Sequence, residues 1–238
     1  MKGIILAAGR GRRMGEATSE KPKCLLEIKG QSLLDMQLMA LKSAGIAEIV
    51  VVTGYRSELF RKKIYTVYND LWSETNMYSS LTKASSWLYS DNCIVSYSDI
   101  FYSKDAVTSL VNSNSDIAVT YDPNWLGLWQ RRFTDPMQDA ETFLLDEQSL
   151  LVEIGKEPQS INEIQGQYMG LLYFSPQGWK IIKNLRKNLD FKKRNEMQMT
   201  QMLSQIAKNQ SFIIRAIPYY GKWGEIDSEN DIKVFENQ

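Results

Sequence analysis

The chain of 238 residues contains no histidine. That excludes imidazole acid–base catalysis, a Ser-His-Asp hydrolase and His-ligated metal sites together. Chemistry must run on carboxylates, Lys, Arg, Tyr or an oxygen-bound metal. Cysteine is scarce. Cys24 and Cys93 are too few for a disulfide framework and read as reduced and buried. No apolar run approaches the ~18 residues of a membrane span, and no leader pattern stands near Met1. The expectation is a cytoplasmic protein with no membrane partner. Charge of one sign is not in excess either: 28 basic residues face 28 acidic ones, so no global field recruits nucleic acid. Basic clusters are therefore local features, suited to a small anion.

What is present concentrates at the N-terminus. Gly3-Ile4-Ile5-Leu6-Ala7-Ala8 reads as a short buried strand running into Gly9-Arg10-Gly11-Arg12-Arg13-Met14-Gly15, and Lys21-Pro22-Lys23 follows. A strand that ends in a glycine loop lets backbone N–H groups approach a phosphate with no Cβ in the way. Arg and Lys beside it supply the charge a triphosphate requires. A dinucleotide site would want G-x-G-x-x-G and an acid at the end of the second strand. Here the third glycine, Gly15, falls one place late, and the second strand ends in Thr53-Gly54-Tyr55-Arg56 without a carboxylate.

Further along, apolar spacing alternates between short runs and helical stripes. Helices are expected at Leu33–Ala44, Asn76–Leu88, Ser103–Val111, Pro176–Asn188, Asn195–Lys208 and after Asp227. Core strands are expected at Ile49–Thr53, Cys93–Tyr97, Ile117–Tyr121, Tyr168–Phe174 and Phe212–Ile217, with hairpin strands at Thr142–Leu145 and Leu150–Ile154. The order predicts an α/β fold with a doubly wound, mostly parallel, Rossmann-like sheet.

Asp99 follows a predicted strand and so belongs at the carboxyl edge, where such sheets bind ligands. Asp227 sits in Trp223-Gly224-Glu225-Ile226-Asp227. Two carboxylates can hold one Mg²⁺, although each acid can also be read as a helix cap or loop acid. Asn76 and Ser80, in Thr75-Asn76-Met77-Tyr78-Ser79-Ser80, share one face of a helix start. Base contact and helix capping both remain open for this segment, and Asn69 offers similar groups. Near Asp122 the composition turns to Trp, acids and turns. Trp129 and its neighbours, with Glu141, suit a cationic amine head through cation–π and charge pairing, or serve as plain core.

The extended pattern Leu6-Ala7-Ala8-Gly9-x-Gly11-x-Arg13-Met14 with Pro22-Lys23 resembles the nucleotidyltransferases that join an NTP to a phosphorylated acceptor. The Asn-x-Tyr-Ser pattern resembles their phosphocholine cytidylyltransferase branch. The Trp-x-x-Leu-Trp-x-x-Arg run, Asp139-Ala140-Glu141, and Glu163-Ile164-x-x-Gln167-Tyr168 resemble the bacterial capsule CTP:phosphoglutamine cytidylyltransferases. The resemblance implies the nucleotide-diphospho-sugar transferase type of fold over 1–238. In it, 1–121 would bind nucleotide, and 122–238 would carry an inserted acceptor lid and the C-terminal metal ligand.

It further implies that Leu6, Ala7, Ala8, Gly9, Gly11, Asn76 and Ser80 meet CTP, with Arg13 and Lys23 on its phosphates and Asp99 and Asp227 on Mg²⁺. Lys156, in Glu153-Ile154-Gly155-Lys156-Glu157-Pro158, would meet the acceptor phosphate or stand as a solvated turn lysine. Trp129, Arg132, Glu141, Glu163, Gln167 and Tyr168 would line the acceptor site. The implied reaction is CMP transfer to a phosphorylated amine such as phosphoglutamine or phosphocholine, with release of pyrophosphate, for cell-surface polysaccharide. A sugar-1-phosphate nucleotidyltransferase and a non-catalytic nucleotide sensor are the alternatives; the assembly would be a monomer or homodimer.

Overall fold

The computed structural model describes residues 1–60, 64–209 and 212–237. Its centre is a seven-stranded sheet. Across it the order is Arg215–Pro218, Ile117–Asp122, Gln167–Phe174, Cys93–Tyr97, Lys2–Ala7, Ile49–Thr53 and Tyr65–Tyr68. All neighbours pair in parallel except Gln167–Phe174, which runs antiparallel to both of its partners. The sheet therefore draws strands from both halves of the chain.

The central strands are apolar on both faces because both faces are covered. Ile4, Leu6, Val50, Val52 and Val95 pack against Tyr78, Leu88, Trp179, Met202 and Leu203 on one side. Ile5, Ala7, Val51 and Ile94 pack against Leu34, Leu41, Val107 and Leu110 on the other. Alternate residues of one strand thus belong to different cores, as a period of two requires. Cys24 and Cys93 are free and buried, and burial pushes each thiol up to about 12. Among the described residues no helix is long and apolar enough to cross a membrane.

The structure departs from the expected elements in places that shape the site. The stretch expected as one helix over Asn76–Leu88 is two, Met77–Thr82 and Ser85–Ser90. Ser85 Oγ donates to the carbonyl of Thr82 at 2.6 Å, and Ala84 leaves helical geometry there. The helix expected at Asn195–Lys208 begins only at Met199 and runs to Ala207; a separate helix, Phe191–Glu196, ends before it, and Met197 between them is extended. Phe212–Ile217 shortens and shifts to Arg215–Pro218. The aromatic run forms a helix, Trp125–Arg132, whose Trp125, Leu128 and Trp129 are buried. The hairpin is present as Phe143–Leu145 with Leu151–Ile154.

Two elements escaped the sequence reading and matter most. Ile100–Tyr102 and Trp223–Glu225 form a small antiparallel ribbon, with Glu225 opposite Ile100. The N–H of Ile226 donates to the carbonyl of Asp99 at 2.9 Å. This ribbon, outside the main sheet, brings the C-terminal acids beside the end of the Cys93–Tyr97 strand.

Candidate active site

Lys2–Ala7 and Cys93–Tyr97 are parallel neighbours, so the glycine loop and Asp99 leave the sheet at the same edge. The loop is pinned rather than free. The carbonyl of Ala8 accepts from the N–H of Tyr55 at 2.9 Å, Thr18 Oγ1 donates to the carbonyl of Gly11 at 3.0 Å, and Met14 is buried. Gly11 has φ +77°, and a Cβ there would lie 3.0 Å from Lys23 Cε. Glycine is needed both for the left-handed turn and to let the Lys23 stem pass.

Lys23 opens a single turn after Pro22 and extends beneath the loop. Its Nζ donates to Asp99 Oδ2 at 3.0 Å and to Asp227 Oδ1 at 2.6 Å. Arg13 reaches the same Asp227 oxygen from the solvent side at 2.9 Å. Oxygens of Asp99, Glu225 and Asp227 lie within 4.8 Å of one another. Asp99 Oδ1 is buried with no hydrogen-bond partner. An all-oxygen set of three acids with one idle buried oxygen suits a hard divalent cation.

The acids differ in character. Burial, then the charges of Asp227 and Asp99, push the Glu225 carboxyl well above the usual carboxylate range. Burial also opposes the charge of Asp227, but Lys23 and Arg13 outweigh it and hold that carboxyl below its usual value. Lys23 is the mirror case: burial works against its charge, and Asp99 and Asp227 raise its pKa regardless. Neither acid acts as a helix cap, the competing reading. Ser103 caps Lys104–Val111, and Ser228 caps Glu229–Glu236.

Two residues hold this cluster in place without any sequence signal that marked them so. Fully buried Gln37 donates to the carbonyls of Tyr97, at 2.9 Å, and Ile100, which flank Asp99. Asp231 accepts from the N–H groups of Asp227 and Ser228 at 2.8 Å each, and from Arg132 Nε at 2.8 Å.

Two cavities share Asn76 and Met77; the larger borders the cluster and the smaller borders the glycine loop. The smaller, about 220 Å³, is lined by Leu6, Ala8, Gly9, Trp72, Thr75 and Ser80 as well. Asn69 is buried behind it. Its amide donates to Ser80 Oγ at 3.0 Å and Thr75 Oγ1 at 3.2 Å, so it orients the lining rather than joining it. Asn76 stands at the N-cap position, but its side chain makes no capping bond and donates to the carbonyl of Glu196 instead. The larger cavity, about 350 Å³, contains Arg13, Asp227, Glu225, Trp129, Glu141, Gln167 and Tyr168 in its walls. Asp139, Tyr97, Met169, Gly170 and the segment Gln198–Thr200 complete it. Burial pushes Asp139 and Glu141 up in pKa; Arg132 tempers the shift at Asp139, and Asp139 adds to that at Glu141.

Three expected acceptor residues stand elsewhere. Lys156 pairs with Glu153 on the exposed hairpin and does not line the cavity. The hairpin turn at Gly155 packs on Thr200 and leaves the lysine on the outer side. Glu163 accepts from the N–H of Gln159 at 2.9 Å and stays in its own exposed turn. Arg132 is wholly buried behind the cavity, on Asp231 and, at 3.4 Å, Glu225. It is a counter-charge for the acids, not a wall of the cavity. Glu225 and Asp139 were missed as site residues. Glu225 stands two positions from Asp227, and strand periodicity puts both on one side.

A family profile, the MobA-like NTP transferase domain, matches residues 3–153. The chain belongs to this family. It is a nucleotidyltransferase, and the span matched holds the glycine loop, Lys23 and Asp99. It is 33% identical to the CTP:phosphoglutamine cytidylyltransferase of Campylobacter jejuni, across 98% of each chain. It is also 36% identical to the choline-phosphate cytidylyltransferase of Haemophilus influenzae, over 44% of this chain and 46% of that one. Among solved structures, the CTP:phosphocholine cytidylyltransferase of Streptococcus pneumoniae superposes with a TM-score of 0.72 at 20% identity, covering 99% of this chain and 97% of that one. The fold is accordingly the nucleotide-diphospho-sugar transferase type anticipated from the N-terminal motif.

Proposed function

We propose that this nucleotidyltransferase is a Mg²⁺-dependent cytidylyltransferase. It transfers CMP from CTP to a small phosphorylated amine of the phosphoglutamine or phosphocholine kind and releases pyrophosphate. The observation that carries the reading is the convergence of Lys23 and Arg13 with Asp99, Glu225 and Asp227 on the wall of an acidic cavity, which adjoins a smaller cavity beside the glycine loop. The whole-length similarity to a phosphoglutamine cytidylyltransferase supports CTP as donor.

In this reading the glycine loop and Lys23 receive the triphosphate, and Leu6, Ala8 and Ser80 border the base. Asp99, Asp227 and Glu225 would hold the cation, which supplies Lewis-acid charge to phosphate oxygens when bound. An acceptor phosphate oxygen attacks the α-phosphorus in line and pyrophosphate leaves. A phosphate dianion is already a nucleophile, so no side-chain base is needed and the absence of histidine costs nothing. Catalysis rests on positioning and on charge neutralisation by Lys23 and Arg13. Asp139 and Glu141 share the cavity wall with Trp129 and Tyr168, so acids and aromatic rings together would receive the amine. CTP supply places the reaction in the cytoplasm, and the product would feed cell-surface polysaccharide.

The test is a panel of CTP, UTP, dTTP and GTP against phosphoglutamine, phosphocholine, 2-aminoethylphosphonate and glucose 1-phosphate, with pyrophosphate detection. Pyrophosphate is expected with CTP and one of the amines. Turnover confined to a sugar phosphate with another NTP would overturn the proposal. CTP binding with no turnover at all would favour a sensor.

A further inference from the structure

The two cations expected on the triphosphate are both spent on one oxygen of Asp227 in the ligand-free protein. Lys23 Nζ stands 2.6 Å from it and Arg13 2.9 Å. Lys23 also holds Asp99 at 3.0 Å, so its ammonium occupies the space between the two acids. Its side chain is only 9% exposed. A magnesium ion bound by these carboxylates at about 2.1 Å would stand within a few ångströms of the ammonium, whichever of their oxygens it took. A second positive charge cannot enter at that range while the ammonium stays, because Coulomb repulsion at a few ångströms is severe where water is excluded.

We propose that Lys23, assisted by Arg13, is a resident counter-cation that bars divalent metal from Asp99 and Asp227 until a triphosphate draws the two side chains away. The triphosphate half of this statement rests on the function proposed above; the exclusion of bare metal does not. Gly11 makes the exchange local. The Lys23 stem runs against the glycine, and its terminal carbons need only rotate from the acids toward the loop. Asp99 Oδ1 is buried without a partner, so the ammonium leaves one oxygen of the cluster unsatisfied. Metal and nucleotide then bind with positive coupling, since each removes the charge that opposes the other. Unproductive loading of bare metal is suppressed.

The test titrates Mn²⁺ alone into the nucleotide-free full chain, followed by calorimetry and electron paramagnetic resonance. Lys23→Met keeps the stem and removes the charge, and it should bind Mn²⁺ about tenfold or more tightly than the unmodified protein. Arg13→Met should gain less, because that side chain is 68% exposed and water already screens it. Adding Asp227→Asn to either variant should remove the gain. Equal Mn²⁺ affinity in the unmodified protein and Lys23→Met would overturn the proposal. Should Lys23→Met not fold, Arg13→Met decides: no gain there overturns it as well. No nucleotide is present in the titration. Failure here with intact pyrophosphate release from CTP would therefore sink the exclusion and leave the function standing. A Mn²⁺ gain in a protein inert toward every NTP would do the reverse.

Discussion

Lys23 and Asp227 are separated by 204 positions in the chain, yet their side chains meet in a buried hydrogen bond of 2.6 Å. That contact joins the turn beneath the N-terminal glycine loop to the C-terminal acid, so the cluster exists only where both ends of the chain come together. Lys23→Ala and Asp99→Ala are each expected to abolish pyrophosphate release with CTP. The loss expected from removing one such charge is about 2–4 kcal/mol of transition-state stabilisation. Retained turnover in either variant, by continuous pyrophosphate assay, would remove that residue from the catalytic set.

Glu141→Gln should separate acceptor binding from nucleotide binding. Glu141 lines the acidic cavity but not the one bordered by the glycine loop. KM for a phosphorylated amine should rise about tenfold with KM for CTP unchanged. A loss confined to CTP would contradict the assigned side of the site.

The same variant tests the pH behaviour. Burial and Asp139 raise the Glu141 carboxyl above its ordinary value of 4.5. Above that value the unfolded chain ionises this group before the folded one does, so the folded state binds more protons and loses stability as pH rises. Glu141→Gln removes that loss. Its melting temperature relative to the unmodified protein should climb from pH 4.5 upward and level off above the raised folded pKa. A difference that shrinks over the same range would show the sign to be wrong.

Arg132→Ala should cost stability more than chemistry alone explains. The guanidinium is wholly buried on Asp231, Glu225 and, at 3.8 Å, Asp227. Removing it leaves buried acids without their counter-charge, a loss of about 3–5 kcal/mol. Urea unfolding in the absence of nucleotide measures it. A loss under 1 kcal/mol would show that water replaces the arginine.

Gln37→Ala acts at one remove from the cluster. Its amide ties the carbonyls on both sides of Asp99. The Ile100 carbonyl loses the amide donor and that of Tyr97 keeps Ser96 Oγ at 2.9 Å, at a cost of about 1–3 kcal/mol in unfolding free energy. As a positioning residue it should lower kcat for pyrophosphate release while KM for the acceptor holds. Gln37→Glu, which keeps the shape but replaces the donating amide nitrogen by an acceptor oxygen, should not restore the rate. Full kcat in Gln37→Ala would make the role purely structural.

Much of the main sheet was legible because its strands are continuous apolar runs ended by loop residues, as in Ile49–Thr53 and Cys93–Tyr97. Tyr65–Tyr68 was not. It is an edge strand with Tyr65 and Tyr68 exposed, and it carries no buried stripe. The break after Thr82 was hidden because Met77–Thr82 and Ser85–Ser90 keep their apolar residues in phase. In the site, Arg13, Lys23 and the loop were readable from local pattern. Arg132 and Lys156 were misplaced because sequence shows a charge but not whether it faces a cavity, a buried acid or water.

Two features were fixed by residue order alone: an N-terminal strand ends in a cationic glycine loop, and the chain supplies no imidazole. Those follow from residue identity and short spacing, which act within a turn or two of the backbone. Only the tertiary structure decided that Glu225 joins Asp99 and Asp227, and that Lys23 rests between two of them. The ribbon pairing Trp223–Glu225 with Ile100–Tyr102 sets that register. Its partners are joined by backbone hydrogen bonds, which carry no side-chain signature across so long a loop of chain.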